Sequence, residues 1–164
     1  MEVRIVRSQK RKKTVQARKI NGVLEILAPA HLSDEQLKPH IENLRRRLVQ
    51  REGLNELDHT ALETRAFELN RIYFDGVLEW ESIRWVSNQD KRHGSCTPTR
   101  GSIRISHRVA QMPKFVQDYI LVHELAHLLE PNHSDRFWKL VERYPRAERA
   151  RGYLMACGLE QVQD

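Results

Sequence analysis

A chain of 164 residues, 40% of them apolar, is long enough for one domain with a buried core and too apolar to remain disordered. Its 28 Lys and Arg against 22 Asp and Glu leave a net charge of +6, which suits acidic partners, nucleic acid among them. No apolar run approaches the ~20 residues of a membrane span and MEVRIVRSQKRKK has no apolar signal-peptide core, so a soluble cytoplasmic protein without a membrane partner is expected.

Residues 3–7 (VRIVR) and 14–20 (TVQARKI) read as strands, and Asn21-Gly22 turns the second into VLEILA as a hairpin. Much of the positive excess is local, at Lys10–Lys13 and Arg45–Arg47. No aromatic residue interleaves these runs, which argues against stacking on single-stranded bases. Ser33 with Gln36 fits a capping box, and Leu37, Ile41, Leu44 and Leu48 follow at helical spacing. Pro39 lacks an N–H for an interior bond, so this helix is expected to be kinked at its start or to begin later. Thr60 with Glu63 fits a second capping box, opening a helix through Ile72 with Leu62, Ala66, Leu69 and Tyr73 facing the core. Asp75-Gly76 ends it. Residues 82–87 (SIRWVS) and 102–106 (SIRIS) alternate as half-buried strands do. The turn-rich loop between them has room for a short strand at Gly94-Ser95-Cys96. Pro113 opens a helix that runs to about Glu130. Ser134 caps another, with Phe137, Leu140, Val141 and Tyr144 on one face and Pro145 as its stop. A last helix over 146–157 ends at Gly158. Strands, helices, strands, helices is an α+β order. It divides one domain, 1–164, into an N-terminal β-hairpin region (1–30), helices (33–75) and a core (80–158).

The stretch LVHELAHLLEPNHSDRFW, residues 121–138, holds three histidines. His123 and His127 lie one helical turn plus about 40° apart, with Cβ atoms ~5–6 Å from each other. Two imidazoles so placed can reach one tetrahedral zinc ion, with Glu124 beside the open position as general base: the H-E-x-x-H pattern. The third ligand is His133, Glu142 or Glu148. A continuing helix would turn His133 about 240° away, so His133 joins only if the chain reverses. Pro131-Asn132 lies where that reversal is needed, and a helix ending near Glu130 is expected. Three neutral imidazoles among Ile120, Leu121, Val122, Leu125, Leu128 and Leu129 would cost stability without a partner. The two cysteines, Cys96 and Cys157, form neither a disulfide framework nor a zinc knuckle, and Cys96 reads as a small buried residue. Trp80, Trp85 and Trp138 read as core anchors.

These residues resemble the YgjP-like zinc metallopeptidase family, related to SprT-like and broader zincin proteases. The likeness spans roughly residues 80–157. It rests on VSNQDKRHGSC, GSIRIS, DYILVHELAHLLEPNHSDRFW and VERYP, and the N-terminal hairpin and following helices look similar too. The resemblance implies a zincin-like fold, a small antiparallel or mixed sheet packed on helices, with 80–158 as catalytic core. It implies one Zn2+ per chain on His123, His127 and His133, with Glu124 catalytic on a peptide or protein substrate. Where the family commonly has Arg-Trp-Gly-Ser-Cys, this chain reads Arg92-His93-Gly94-Ser95-Cys96. Glu130 stands where the metzincin pattern has glycine, and Met155 is the only downstream methionine, so a metzincin is not expected.

In such an enzyme a peptide adds as a strand to the sheet edge, here Gly94-Ser95-Cys96 or 102–106, and glycine lets another backbone approach. His93, Gly94, Ser95 and Tyr144 are the substrate-binding candidates, and His93, Tyr144 and Tyr153 the candidates to stabilise the oxyanion. Two alternatives compete with the peptidase: a nucleic-acid-associated protein, such as a SprT-like protease of DNA-bound proteins, and a catalytically silent metal-stabilised module.

Overall fold

The hairpin at Asn21-Gly22 sets the N-terminal topology. Both residues take positive φ, 49° and 82°, as a two-residue turn of this hand requires. In the computed structural model, which describes residues 2–55, 57–89 and 91–158, the turn joins β2 (Gln16–Ile20) antiparallel to β3 (Val23–Pro29). β1 (Val3–Ser8) then pairs parallel with the other edge of β3, giving the order β1-β3-β2. Alternation along β3 buries Leu24, Ile26 and Ala28 completely, and they share a core with Leu37 of α1 (Asp34–Asn55).

The capping box at Ser33 forms in both directions. Ser33 N–H donates to Gln36 Oε1 at 3.0 Å, and Gln36 N–H donates to Ser33 Oγ at 3.3 Å. Of the two expectations, a kinked start or a later one, the later start does not occur: α1 begins at Asp34 and passes through Pro39. The reciprocal cap and burial of Leu37 one turn in outweigh the single backbone bond that proline removes.

The chain divides into two compact units, Met1–Glu52 and Gly53–Asp164, each with its own apolar cluster. In the second unit, α2 (His59–Tyr73) is capped by Asp58, not Thr60. The Asp58 carboxylate accepts from Thr60 N–H at 2.8 Å and Ala61 N–H at 3.1 Å. A carboxylate at the positive helix end is the stronger acceptor, so the earlier residue takes the cap. Leu62, Ala66 and Leu69 are buried as expected.

The second sheet has the order β4-β6-β5, from β4 (Ser82–Val86), β5 (Gly94–Thr97) and β6 (Ser102–Ser106). β4 runs parallel and β5 antiparallel to β6. Residues 102–106, considered above as an edge, are thus the central strand, with Ile103 and Ile105 fully buried; β5 is an edge. Register places Gly94 opposite Ile105 and Cys96 opposite Ile103, so both point to the face that packs on α3 (Lys114–Ala126). Arg65 of α2 fixes α3 from the other side: its Nε and Nη2 donate to the two Asp118 carboxylate oxygens at 2.8 and 2.7 Å. α4 (Asp135–Val141) and α5 (Ala147–Ala156) complete the unit. Among the described residues, two sheets and five α-helices make up the α+β class expected. No helix among the described residues is long and apolar enough to cross a membrane.

Candidate metal centre

α3 is apolar nearly all round, and Tyr119 to Ala126 are all buried, His123 and Glu124 included at 7% and 3% exposure. The helix ends at Ala126, a turn earlier than expected, because the next bonds tighten: Leu128 N–H donates to Leu125 O and Leu129 N–H to Ala126 O. His127 caps the helix in helical conformation, so it keeps its place one turn beyond His123. The chain then bends at Pro131-Asn132, and Ser134 accepts from Phe137 N–H at 3.3 Å to start α4. The reversal brings His133 back over α3.

His123, His127 and His133 each offer a donor nitrogen, all within 4.8 Å of one another. His133 Nε2 lies 3.2 Å from His123 Nε2. Two ligands bound ~2.0–2.1 Å from a tetrahedral zinc ion stand about 3.3 Å apart, so this edge fits such an ion. His127 Nδ1 lies 3.0 Å from the Glu130 carbonyl, which can only accept; Nδ1 therefore carries the proton and Nε2 keeps its lone pair. His123 Nδ1 is buried without a hydrogen-bond partner among the described residues. Burial, then the neighbouring imidazoles, holds the His123 pKa well below its usual value. Burial lowers His127 too, against the pull of the Glu130 carbonyl. Neutral imidazoles are the form that a metal binds. Glu142 and Glu148 are exposed and join no donor group.

Aromatic rings hold the imidazoles. His127 stacks on Phe137 at 4.3 Å between centroids, and His133 stacks on Trp138 at 5.7 Å. Phe137 also meets His123 edge-on at 4.8 Å. Ser134, Phe137 and Trp138 thus act together: the cap starts the helix that delivers both rings. Trp138, read above as a core anchor, is a half-buried wall of this site, with Arg151 lying 4.4 Å over its ring. Tyr119, one turn before His123 and 5.9 Å from its ring, was not singled out from sequence, although the same i, i+4 arithmetic reaches it.

Glu124 faces the sheet. A Cβ built on Gly94 would lie 2.6 Å from Glu124 Oε1, so glycine is what makes room for the carboxylate. Burial pushes the Glu124 carboxyl up to about 8, with Arg92 pulling the other way. His93 forms a second donor group with His123 and Glu124, within 4.8 Å, and its ring meets His123 edge-on at 5.6 Å. Its backbone carbonyl accepts from Ser106 N–H, which anchors it at the start of β5.

Other candidates stand elsewhere. Ser95 alternates to the face opposite Gly94, where its hydroxyl accepts from Gln89 Nε2 at 2.6 Å. Tyr144 is buried in the core, edge-on to Tyr73, with its hydroxyl donating to the Phe115 carbonyl at 3.0 Å. Tyr153 packs on Phe115. None of the three meets the histidines, because strand alternation and core packing turn them away. Burial, then the Glu124 charge, pushes the Cys96 thiol up to about 12, far from a nucleophile's range.

A model of the YgjP-like family, described as a metallopeptidase domain, matches residues 76–156. The chain is similar to the crystal structure of the metallopeptidase zymogen of Pyrococcus abyssi abylysin, with 25% identity and a TM-score of 0.52, over 58% of this chain and 93% of that one. No curated protein matches. The α+β architecture is accordingly zincin-like, and residues matched by the family model include all three clustered histidines and Glu124. Residues 76–156 therefore carry a YgjP-like metallopeptidase domain.

Proposed function

We propose that this metallopeptidase is zinc-dependent, with zinc on His123, His127 and His133 and Glu124 as general base. The observation that carries the reading is the convergence of three imidazole nitrogens within 4.8 Å, with the buried Glu124 next in the chain to one of them. When bound, zinc supplies Lewis acidity, acidifying water and polarising a carbonyl. The protein's own groups do the rest. The stacked rings of Phe137 and Trp138 fix the imidazole planes. The Glu124 carboxylate takes a proton from the attacking water and hands it to the departing amine nitrogen.

A peptide substrate adds to the outer edge of β5, which pairs with β6 on its other side. There it passes Gly94 and so lies alongside Glu124. His93 stands at the start of that edge and hydrogen-bonds the substrate. Replacing His93 by Ala is expected to raise KM for peptides about 3- to 10-fold, the range of one hydrogen bond, with zinc content unchanged. An unaltered KM removes His93 from the substrate side.

The test of the whole reading is metal analysis with a peptide assay. The purified protein should hold about one zinc per chain, lose cleavage to a chelator and regain it with zinc. His133→Ala should weaken zinc binding by more than the ~10–100-fold typical of losing an outer partner. Full zinc affinity in that variant would pass the third position to another residue.

A further inference from the structure

Net positive charge is confined to one of the two units. Residues 1–52 hold 13 Lys and Arg against 6 Asp and Glu, a net +7; residues 53–164 hold 15 against 16, a net −1; together these make the chain's +6. The metallopeptidase match, 76–156, lies wholly outside the basic unit. Of the six acids in that unit, three are already paired within it: Asp34 with Arg7, Glu25 with Arg18 and Glu52 with Lys19. Lys10, Lys12, Lys13, Arg45, Arg46 and Arg47 are exposed and enter no ion pair among the described residues. The three lysines sit on the connection between β1 and β2, and the three arginines on successive positions of α1.

The composition of the unit narrows the partner. Residues 1–52 contain no Phe, Trp or Tyr, so the unit offers no large aromatic platform on which successive unpaired bases could stack. The apolar stripe of α1, with Leu37 fully buried and Ile41, Leu44 and Leu48 packed on the same cluster, is turned to its own sheet and is not offered to a lipid surface. What remains is a set of exposed cations suited to a dense row of phosphates, and duplex nucleic acid carries one negative charge per ~1.7 Å of axis.

We propose that residues 1–52 are a nucleic-acid-binding unit that grips the phosphodiester backbone of a duplex and does not read bases. Phosphate contacts position a protein without carrying sequence information, and each one releases counterions. Binding is therefore steeply salt-dependent, indifferent to sequence and independent of the metal centre.

Fluorescence anisotropy with the full chain tests this, using two labelled duplexes of unrelated sequence, the matching single strand and phosphatidylglycerol vesicles. Binding of both duplexes should agree within about twofold and fall ~10²-fold or more between ~50 and ~200 mM salt, the loss for four or more phosphate contacts. Changing the exposed Lys10, Lys12 and Lys13 together to Ala should weaken binding at least ~10-fold and flatten the salt slope by about 2 or more, with zinc content and thermal melting unchanged. Arg45, Arg46 and Arg47 changed to Ala form a second variant on a different element, so misfolding of one leaves the other decisive. No binding at ~50 mM salt, tighter binding to the single strand or to vesicles, or wild-type affinity in both variants would overturn the proposal.

Discussion

Glu124→Gln should retain about one zinc per chain and lose peptide cleavage by ~10²–10⁴-fold, the range attributed to a positioned general base. The substitution keeps the size of a side chain that is only 3% exposed. It removes one property, the capacity to accept a proton. The three imidazoles are untouched, so the metal should stay. Two outcomes would sink the assignment in different ways. Zinc lost with the carboxylate would make Glu124 a ligand, and the group it forms with His93 and His123 would become the relevant one. Cleavage kept at wild-type rate would move the base elsewhere, with His93 first in line because its ring meets that same group. Metal analysis and a fluorogenic peptide assay on one preparation separate these cases, and a melting curve shows whether the variant is folded.

The parts of this molecule that short-range chemistry dictates were legible in the sequence. Asn21-Gly22 forms its hairpin, Ser33 and Gln36 form their reciprocal cap, and Ser134 starts α4. Helix arithmetic put His123 and His127 on one face and required a reversal before His133, and the structure bends there. What failed was decided by competition or by distance. Asp58 outcompetes Thr60 for the cap because both can serve and the carboxylate is the better acceptor. Helix α1 runs through Pro39 because one lost bond is smaller than the gain from its cap and Leu37. Parallel pairing of β1 with β3, and the place of β6 at the centre of its sheet, are long-range choices with no local signature. The partition of charge is different again. Its total was visible at once, but its meaning required the unit boundary near Glu52.

Gly94→Ala is expected to lower cleavage at least ~10²-fold while leaving zinc bound, because it acts on the position of Glu124 and not on its chemistry. Gly94 lies in β5 outside the left-handed region, so the backbone would accept alanine; space is what forbids it. The new Cβ would stand 2.6 Å from Glu124 Oε1, 2.9 Å from its Cγ and 3.0 Å from its Cδ. Contact with three atoms of one buried side chain cannot be relieved by a small rotation, so the carboxylate must move or the strand must lift from α3. Either displaces the base by about an ångström, which is enough for a ~10²-fold loss when geometry is set this closely. The thermal midpoint should also fall, since overpacking a closed site typically costs ~1–3 kcal/mol. Gly152→Ala is the matched control: nothing lies within 4 Å of its added Cβ, and a helical position favours alanine over glycine. Combining Gly94→Ala with Glu124→Asp should recover part of the lost stability, because the shorter side chain withdraws from the new methyl group, yet recover no cleavage. Wild-type cleavage in Gly94→Ala would show that Glu124 does its work from a position this contact does not set, and the strand edge beside it would lose its claim as the place where substrate lies.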